Sequence, residues 1–305
     1  MIILRSIGGL GNQLFQMAYA IKLSKKYDEE IYVDLSSYEK YKVRSFSFDN
    51  IEATKYIKNL NWDLIPKKDR YKYVLSRNIY RYIQRAIKLI KKNDEIGITM
   101  FYLLGKFNLL YNFDSYFYKE SKLVHKEKNK WVYGYFQSEK YFEEVKDTIF
   151  ETFRVKRTPS KREEEVLKNI NKTQSIAVSM RVGSDYTNSK LLNICTEEYY
   201  LKSIEVMKEK FPKAQLFIFS DDVNLVKEKF NLPSNVEYVE GFNDYENLRL
   251  MYNCDHFIIS NSSFSWWGSY LSYNKEKTII APYKWYNHSK KTPDIYNDNI
   301  SKIYF

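Results

Sequence analysis

Between residues 176 and 280 the chain repeats one pattern, and that pattern restricts the fold more than any other feature. Short apolar runs at 176–182, 216–219, 236–239, 257–259 and 278–280 have the length and the β-branched or aromatic content of strands. Segments with helical periodicity lie between them, at 197–211, 223–230, 245–252 and 264–271. Apolar runs of this kind suit strands covered on both faces, as in a parallel sheet with crossover helices. A doubly wound α/β unit is therefore expected. Such sheets bind ligands beyond the carboxyl ends of their strands. The turns that follow strands are the places to look for chemistry.

A second unit of the same kind opens the chain. Ile2-Ile3-Leu4 reads as a strand, residues 14–26 as a helix, and Ile31-Tyr32-Val33 as the next strand, ending at Asp34. From about 55 to 130 the pattern is mainly helical, aromatic and basic, and Trp131-Val132-Tyr133-Gly134-Tyr135-Phe136 returns to strand. Residues 155–174 are highly charged, with Pro159, and read as linker and helix. Two units are expected, 1–155 with a helical insert and 156–305.

Composition sets limits. With 44% hydrophobic residues, 29 Tyr and 19 Phe, the 305-residue chain can fill a core and is not disordered. No apolar run approaches the ~20 residues that span a bilayer, and the first residues read as a strand rather than a signal peptide. Cys195 and Cys254 are expected as free buried thiols in a reducing cytoplasm, and no Cys/His cluster has zinc-ligand spacing. The net charge of +11 attracts anionic partners without choosing among them. No recognition motif accompanies the charge, so nucleic acid is not an expected partner. Arg81, Arg85, Lys88, Lys91 and Lys92 interleave with Ile79, Ile83, Ile87 and Ile90 at helical spacing. Such a helix either packs its Ile stripe on the core, the favoured reading, or lies on a membrane surface.

Four clusters follow predicted strands. Gly8-Gly9-Leu10-Gly11-Asn12-Gln13 allows close backbone approach but matches neither the dinucleotide fingerprint nor a P-loop. Ser179-Met180-Arg181-Val182-Gly183-Ser184-Asp185-Tyr186 places an Arg where it can grip phosphate. A purely structural Arg181–Asp185 pair accounts for the same residues equally well. In Phe219-Ser220-Asp221-Asp222 the paired carboxylates read as a helix cap rather than a metal site. Asn261-Ser262-Ser263-Phe264-Ser265-Trp266-Trp267-Gly268 puts hydroxyls and an amide at a helix N-terminus, which is either an anion site or an ordinary cap. The preceding helical segment offers Glu246 and Arg249 as further candidates.

These four clusters, with Gly134-Tyr135-Phe136-Gln137-Ser138-Glu139-Lys140-Tyr141-Phe142, resemble the bacterial α-1,2-fucosyltransferases, glycosyltransferase family 11, in family order over roughly residues 1–285. The resemblance implies a GT-B-like α/β fold: two Rossmann-type domains with a cleft between them. It implies transfer of fucose from GDP-fucose, with inversion and without a metal or other cofactor, to a galactose hydroxyl of a surface glycan such as an O-antigen. Transfer of another GDP-deoxysugar, or non-catalytic binding, is the alternative. The first unit would hold a glycan acceptor, lipid-linked at the inner membrane if the enzyme is peripheral there, and the second the GDP-sugar. Arg181 and Asp185 are the catalytic candidates. Gly9, Gly11, Asn12, Gln13, Ser220, Asp221, Asn261, Ser262, Ser263 and Ser265 are the substrate-binding candidates. The chain departs from the family's His-x-Arg-Arg-Gly-Asp-Tyr pattern: Ser179 stands at the His, Val182 at the second Arg, and Ser184 is inserted before Asp185. A neutral hydroxyl cannot take an imidazole's place as a base near pH 7.

Overall fold

The computed structural model describes residues 1–40, 45–87, 93–112, 118, 128–287, 294–296 and 300–303. The chain divides into two compact units: residues 1–49 with 53–149, and residues 50–52 with 150–305.

The first unit runs β1 (Ile2–Arg5), α1 (Leu10–Tyr27), β2 (Ile31–Asp34), α2 (Ser36–Lys40), β3 (Ile57–Asn59), α3 (Lys67–Ile87), α4 (Asn93–Gly105), β4 (Leu109–Asn112) and β5 (Lys130–Gly134). Its sheet is five-stranded in the order β3-β2-β1-β5-β4, all parallel. β1 therefore marks the point where the strand order reverses. α1 is buried along almost its whole length, from Leu10 to Leu23, because it lies against the sheet and small residues such as Ala18 and Ala20 permit the approach. β3 and β4 fall inside the stretch expected to be mainly helical. Three- and four-residue strands carry too little periodicity to stand out, and they are strands because β2 and β5 offer them hydrogen-bonding edges.

α5 (Lys146–Thr152) spans the change of unit. Residues 150–155, expected in the first half, pack in the second. There Arg154 donates to the Leu271 carbonyl at 2.6 Å and lies over the rings of Tyr273 and Phe150, 4.0 and 4.3 Å from their centroids. Phe153 meets Trp267 at 5.3 Å. A cation wrapped in aromatic faces is a strong local anchor.

The second unit continues with α6 (Lys161–Lys172), β6 (Ser175–Met180), α7 (Ser184–Thr187), α8 (Glu197–Lys210), β7 (Gln215–Ser220), α9 (Val223–Lys229), β8 (Val236–Val239), α10 (Asp244–Tyr252), β9 (His256–Ile258), α11 (Ser263–Tyr270), β10 (Ile279–Pro282) and β11 (Ile300–Ile303). The sheet is parallel throughout, in the order β11-β10-β9-β6-β7-β8. The alternation of 176–280 is reproduced element by element. From β6 the chain steps outward to β7 and β8, then returns to β9 on the other side, so the order reverses between β6 and β9. α6 is started by a capping box: Ser160 accepts from the Glu163 N–H and Glu163 accepts from the Ser160 N–H. Cys195 and Cys254 are both free and buried, and burial pushes the Cys195 thiol up to about 11.

α3 departs from its expected packing. Tyr73 and Tyr80 are buried, while Ile79 is exposed. The helix turns an aromatic face inward, with Tyr73 stacked on Trp131 at 4.3 Å, and Ile79 does not lie on that core face. Residues 88–92 of the basic segment lie outside the described residues.

His256 at the start of β9 supplies a pH dependence. Its Nδ1 accepts the Thr278 N–H at 3.1 Å, its ring stacks on Phe211 at 3.8 Å, and burial holds its pKa below the ordinary 6.5. The unfolded chain takes up the proton more readily than the folded one. The neutral form's contribution is therefore intact above the ordinary value and is lost as pH falls through the depressed folded value. The melting temperature is expected to drop between pH 7.5 and 5, and His256→Asn to flatten that slope in a thermal scan. An equal slope in the variant would remove His256 as its source.

Candidate active site

Both points of strand reversal carry the loops singled out by sequence. In the second unit, the carboxyl ends of β6, β9 and β7 lead into residues 181–186, 259–263 and 220–222. β6 pairs in parallel with β9 through Val178 and Ile258, and with β7 through Met180 and Ser220. Arg181 and the start of α11 thus leave from adjacent strand ends, where open α/β sheets bind ligands.

Arg181 sits between two carboxylates. Its Nε is 2.8 Å from Asp221 Oδ2, a close ion pair rather than an aligned hydrogen bond, and an Nη donates to Asp185 Oδ2 at 3.1 Å. The two acids differ. Asp221 is a fixed part of the loop, since its Oδ1 also accepts the N–H groups of Val182 at 2.9 Å and Gly183 at 3.2 Å. Asp185, in the first turn of α7, is 66% exposed against 24% for Arg181. An exposed ion pair contributes little, so Asp185 can be exchanged for another anion at small cost while Asp221 keeps the guanidinium in place. Backbone position is set from behind by Tyr200, whose hydroxyl accepts the Arg181 N–H at 2.9 Å.

Val182, where the family pattern has a second Arg, is 5% exposed and belongs to the core cluster with Met180, Tyr186 and Tyr200. A valine there packs as core. Ser179 is a buried residue of β6.

The α11 loop divides into a polar edge and a packed base. Ser262 is the N-cap and accepts the Phe264 N–H at 3.3 Å. Ser262, Ser263 and Phe264 remain partly exposed. Ser265 is fully buried, its hydroxyl directed to the carbonyls of Ser260 and Ser262. Trp266 and Trp267 are core residues. Trp266 Nε1 donates to the Ile295 carbonyl at 2.7 Å, and its ring stacks on Tyr270 at 4.7 Å. Gly268 is required by packing, since a Cβ there would lie 2.2 Å from Met251 Sδ.

Asn261, expected among the substrate-binding residues, has its polar atoms committed elsewhere. Its Nδ2 donates to the carbonyls of Leu192 and Trp285, at 3.0 and 2.8 Å, and its Oδ1 accepts from Tyr186 at 2.6 Å. The Tyr186 hydroxyl in turn accepts the N–H groups of Ile194 and Cys195. This cross-link ties the loop after β6 to the loop after β9. Ser265 is likewise internal. Ser220 accepts the Asp222 N–H at the edge of the loop, and Asp222 caps α9 through the Leu225 N–H, as the cap reading expected. Glu246 closes a capping box with Asn243, and Arg249 pairs with buried Glu163 at 3.0 Å. Each thus has a structural partner within its own unit.

The first unit shows the same division. Gly8 has φ +78°, a left-handed conformation that a side chain would strain, and a Cβ there would meet Asn12 Nδ2 at 2.6 Å. Gly9 is the N-cap of α1, its carbonyl accepting from Asn12 and Gln13, while Gly11 is buried inside the helix. Gln13 is fully buried and spans the loop: it donates to the carbonyls of Gly8 and Ser45 and accepts the N–H groups of Ser47 and Phe48. It braces the loop and has no group left for a ligand, contrary to its expected role. Asn12 accepts from Gln137 Nε2 at 2.6 Å, joining the loops after β1 and β5. Sequence pattern alone does not reveal Gln137 and Tyr186 as the side chains that cross-link these loops. The motif around Gln137 was visible after a strand, but only the fold reveals which side chain it meets.

Among the described residues no group of three or more His, Cys, Asp or Glu side chains could hold a metal, and no helix is long and apolar enough to cross a membrane.

The model of the family described as Glycosyl transferase family 11 matches residues 1–303. An alpha-1,2-colitosyltransferase of Escherichia coli is 30% identical over 302 residues, covering 95% of this chain and 93% of the relative. The O-antigen biosynthesis glycosyltransferase WbnK of Escherichia coli is 26% identical over 312 residues, covering 94% and 96%. Among solved structures, fucosyltransferase NodZ from Bradyrhizobium superposes with a TM-score of 0.51 at 14% identity, over 89% of this chain and 93% of that one. At that identity the likeness is one of fold, the GT-B-like architecture of two Rossmann-type units.

Proposed function

Because the chain belongs to glycosyl transferase family 11, we propose that it transfers fucose from GDP-fucose to a glycan hydroxyl during O-antigen synthesis. The acceptor is a galactose, the linkage α-1,2, and the anomeric centre is inverted. The second unit takes the GDP-sugar and the first takes the acceptor. One observation carries the reading: Arg181, braced by Asp221 and the Tyr200 hydroxyl, leaves the sheet beside the N-terminus of α11. A guanidinium and a helix N-terminus side by side suit a diphosphate.

In this mechanism the acceptor oxygen forms its bond to the anomeric carbon as the bond to the diphosphate oxygen breaks. GDP leaves with the electron pair, and Arg181 stabilises that charge in place of a metal ion. Asp185 yields its contact with Arg181 to the diphosphate. The acceptor hydroxyl gives up its proton to a general base, for which Asp185 is the candidate once released.

The colitosyltransferase relative favours a second reading, with GDP-colitose as donor. Colitose is fucose without its 3-hydroxyl. A site that hydrogen-bonds that hydroxyl disfavours the deoxy sugar by as much as ~10⁴-fold, whereas an apolar site separates the two weakly. Purified protein is expected to transfer from GDP-fucose to a β-galactoside with EDTA present, with product linkage and anomeric configuration read by NMR. A higher kcat/KM with GDP-colitose would give the donor to the second reading. GDP binding without turnover on any galactoside would leave a binding protein instead.

A further inference from the structure

We infer that the outward face of α3 is a docking surface for an anionic lipid bilayer. Among the described residues, nine of the twelve large hydrophobic side chains that stand exposed lie between Leu64 and Phe107, so exposure is concentrated in the helical part of the first unit. On α3, Tyr71, Val74, Leu75 and Ile79 recur at intervals of three, one and four, which places them on one face of the helix. They are 70%, 42%, 46% and 48% exposed.

The opposite face already serves the core. Tyr73 stacks on Trp131, the Ser76 and Tyr111 hydroxyls are 3.0 Å apart, and Tyr80 meets Tyr111 at 5.4 Å. The outward stripe is therefore a second apolar face on a helix whose first is satisfied. A monomer in water gains nothing from a contiguous stripe of this kind, and such patches mark interaction sites.

Charge selects the occupant. α3 carries seven Lys and Arg against one acid, Asp69. Lys68 and Lys72 are exposed on the turns that bear the stripe. Apolar side chains flanked by lysines, with a Tyr at the edge, match the interface of an anionic bilayer: the stripe enters the acyl boundary and the lysines reach the head groups. The apolar stripe makes a lipid surface a better match than a soluble polyanion.

The test uses the full chain and vesicles, with no donor or acceptor, so its result is separate from that of the transfer assay. Co-sedimentation is expected at least about tenfold stronger with vesicles containing roughly 30% phosphatidylglycerol than with pure phosphatidylcholine, and weaker in high salt. Leu75→Glu/Ile79→Glu is expected to abolish binding and Lys68→Glu/Lys72→Glu to weaken it. Both variants should melt like the parent, because all four side chains are exposed. Equal partition onto the two vesicles, no binding by the parent, or retained binding by Leu75→Glu/Ile79→Glu would overturn the inference. A parent dimer that neither binds vesicles nor survives Leu75→Glu/Ile79→Glu in light scattering would also overturn it, and would assign the face to a second copy.

Discussion

Arg181→Ala is expected to slow transfer at least ~100-fold, the usual cost of removing one donor aimed at developing charge. The loss should appear in kcat as well as kcat/KM, because the negative charge on the departing diphosphate is larger in the transition state than in the bound donor. Arg181→Lys keeps the positive charge but cannot reproduce the planar fork that meets Asp221 on one edge and Asp185 on another. It should recover only part of the rate. Loss of the side chain also leaves Asp221 without its ion pair, yet Asp221 retains the Val182 and Gly183 N–H groups. The fold should therefore survive, and a melting curve close to the parent's would show that the defect is chemical. Unchanged transfer in Arg181→Ala would remove this residue from the mechanism.

Asn261→Ala has the opposite signature. It leaves the Trp285 carbonyl and the Tyr186 O–H without their partner in the interior, and removes the donor to the part-buried Leu192 carbonyl. Each buried polar group left without its partner costs about 1–3 kcal/mol, so a loss of at least about 3 kcal/mol is expected. In a unit of this size that corresponds to a fall of roughly 6–12 °C in melting temperature. Activity should fall with the folded fraction rather than through donor KM. A variant that melts normally but binds GDP poorly would instead make Asn261 a donor ligand.

The contrast between Arg181 and Asn261 shows how much of the site could be read from the chain. Both stand in turns after predicted strands, and both were candidates on the same grounds. The loops lie where the strand pattern places them: β6, β7 and β9 end beside one another and carry these turns at their carboxyl ends. Roles within the loops divided. Arg181 faces a place another anion can reach, whereas Asn261, Ser265 and Gln13 turn inward and hold the loops together. Asp221 lies between the two groups, since it holds both the Arg and the backbone beside it. The departure at Val182 has a similar account. A second Arg could not occupy that position without opening the core around Met180 and Tyr200.

Periodicity is a local property, written in residues three, four or two apart. It was therefore enough to determine the alternating strands and helices of the second unit, the opening β-α-β of the first, and the turns where a ligand would be met. Short strands such as β3 and β4 escaped it because their order comes from neighbouring edges rather than from their own pattern. The direction of a polar side chain is not local. Tyr186 reaches Asn261 across 75 residues of sequence and Gln137 reaches Asn12 across 125. No spacing rule reports such partners, because a buried polar atom takes whichever donor or acceptor the packed chain brings beside it. Only the tertiary structure could decide which residues of each turn brace the loop and which are left to meet a substrate.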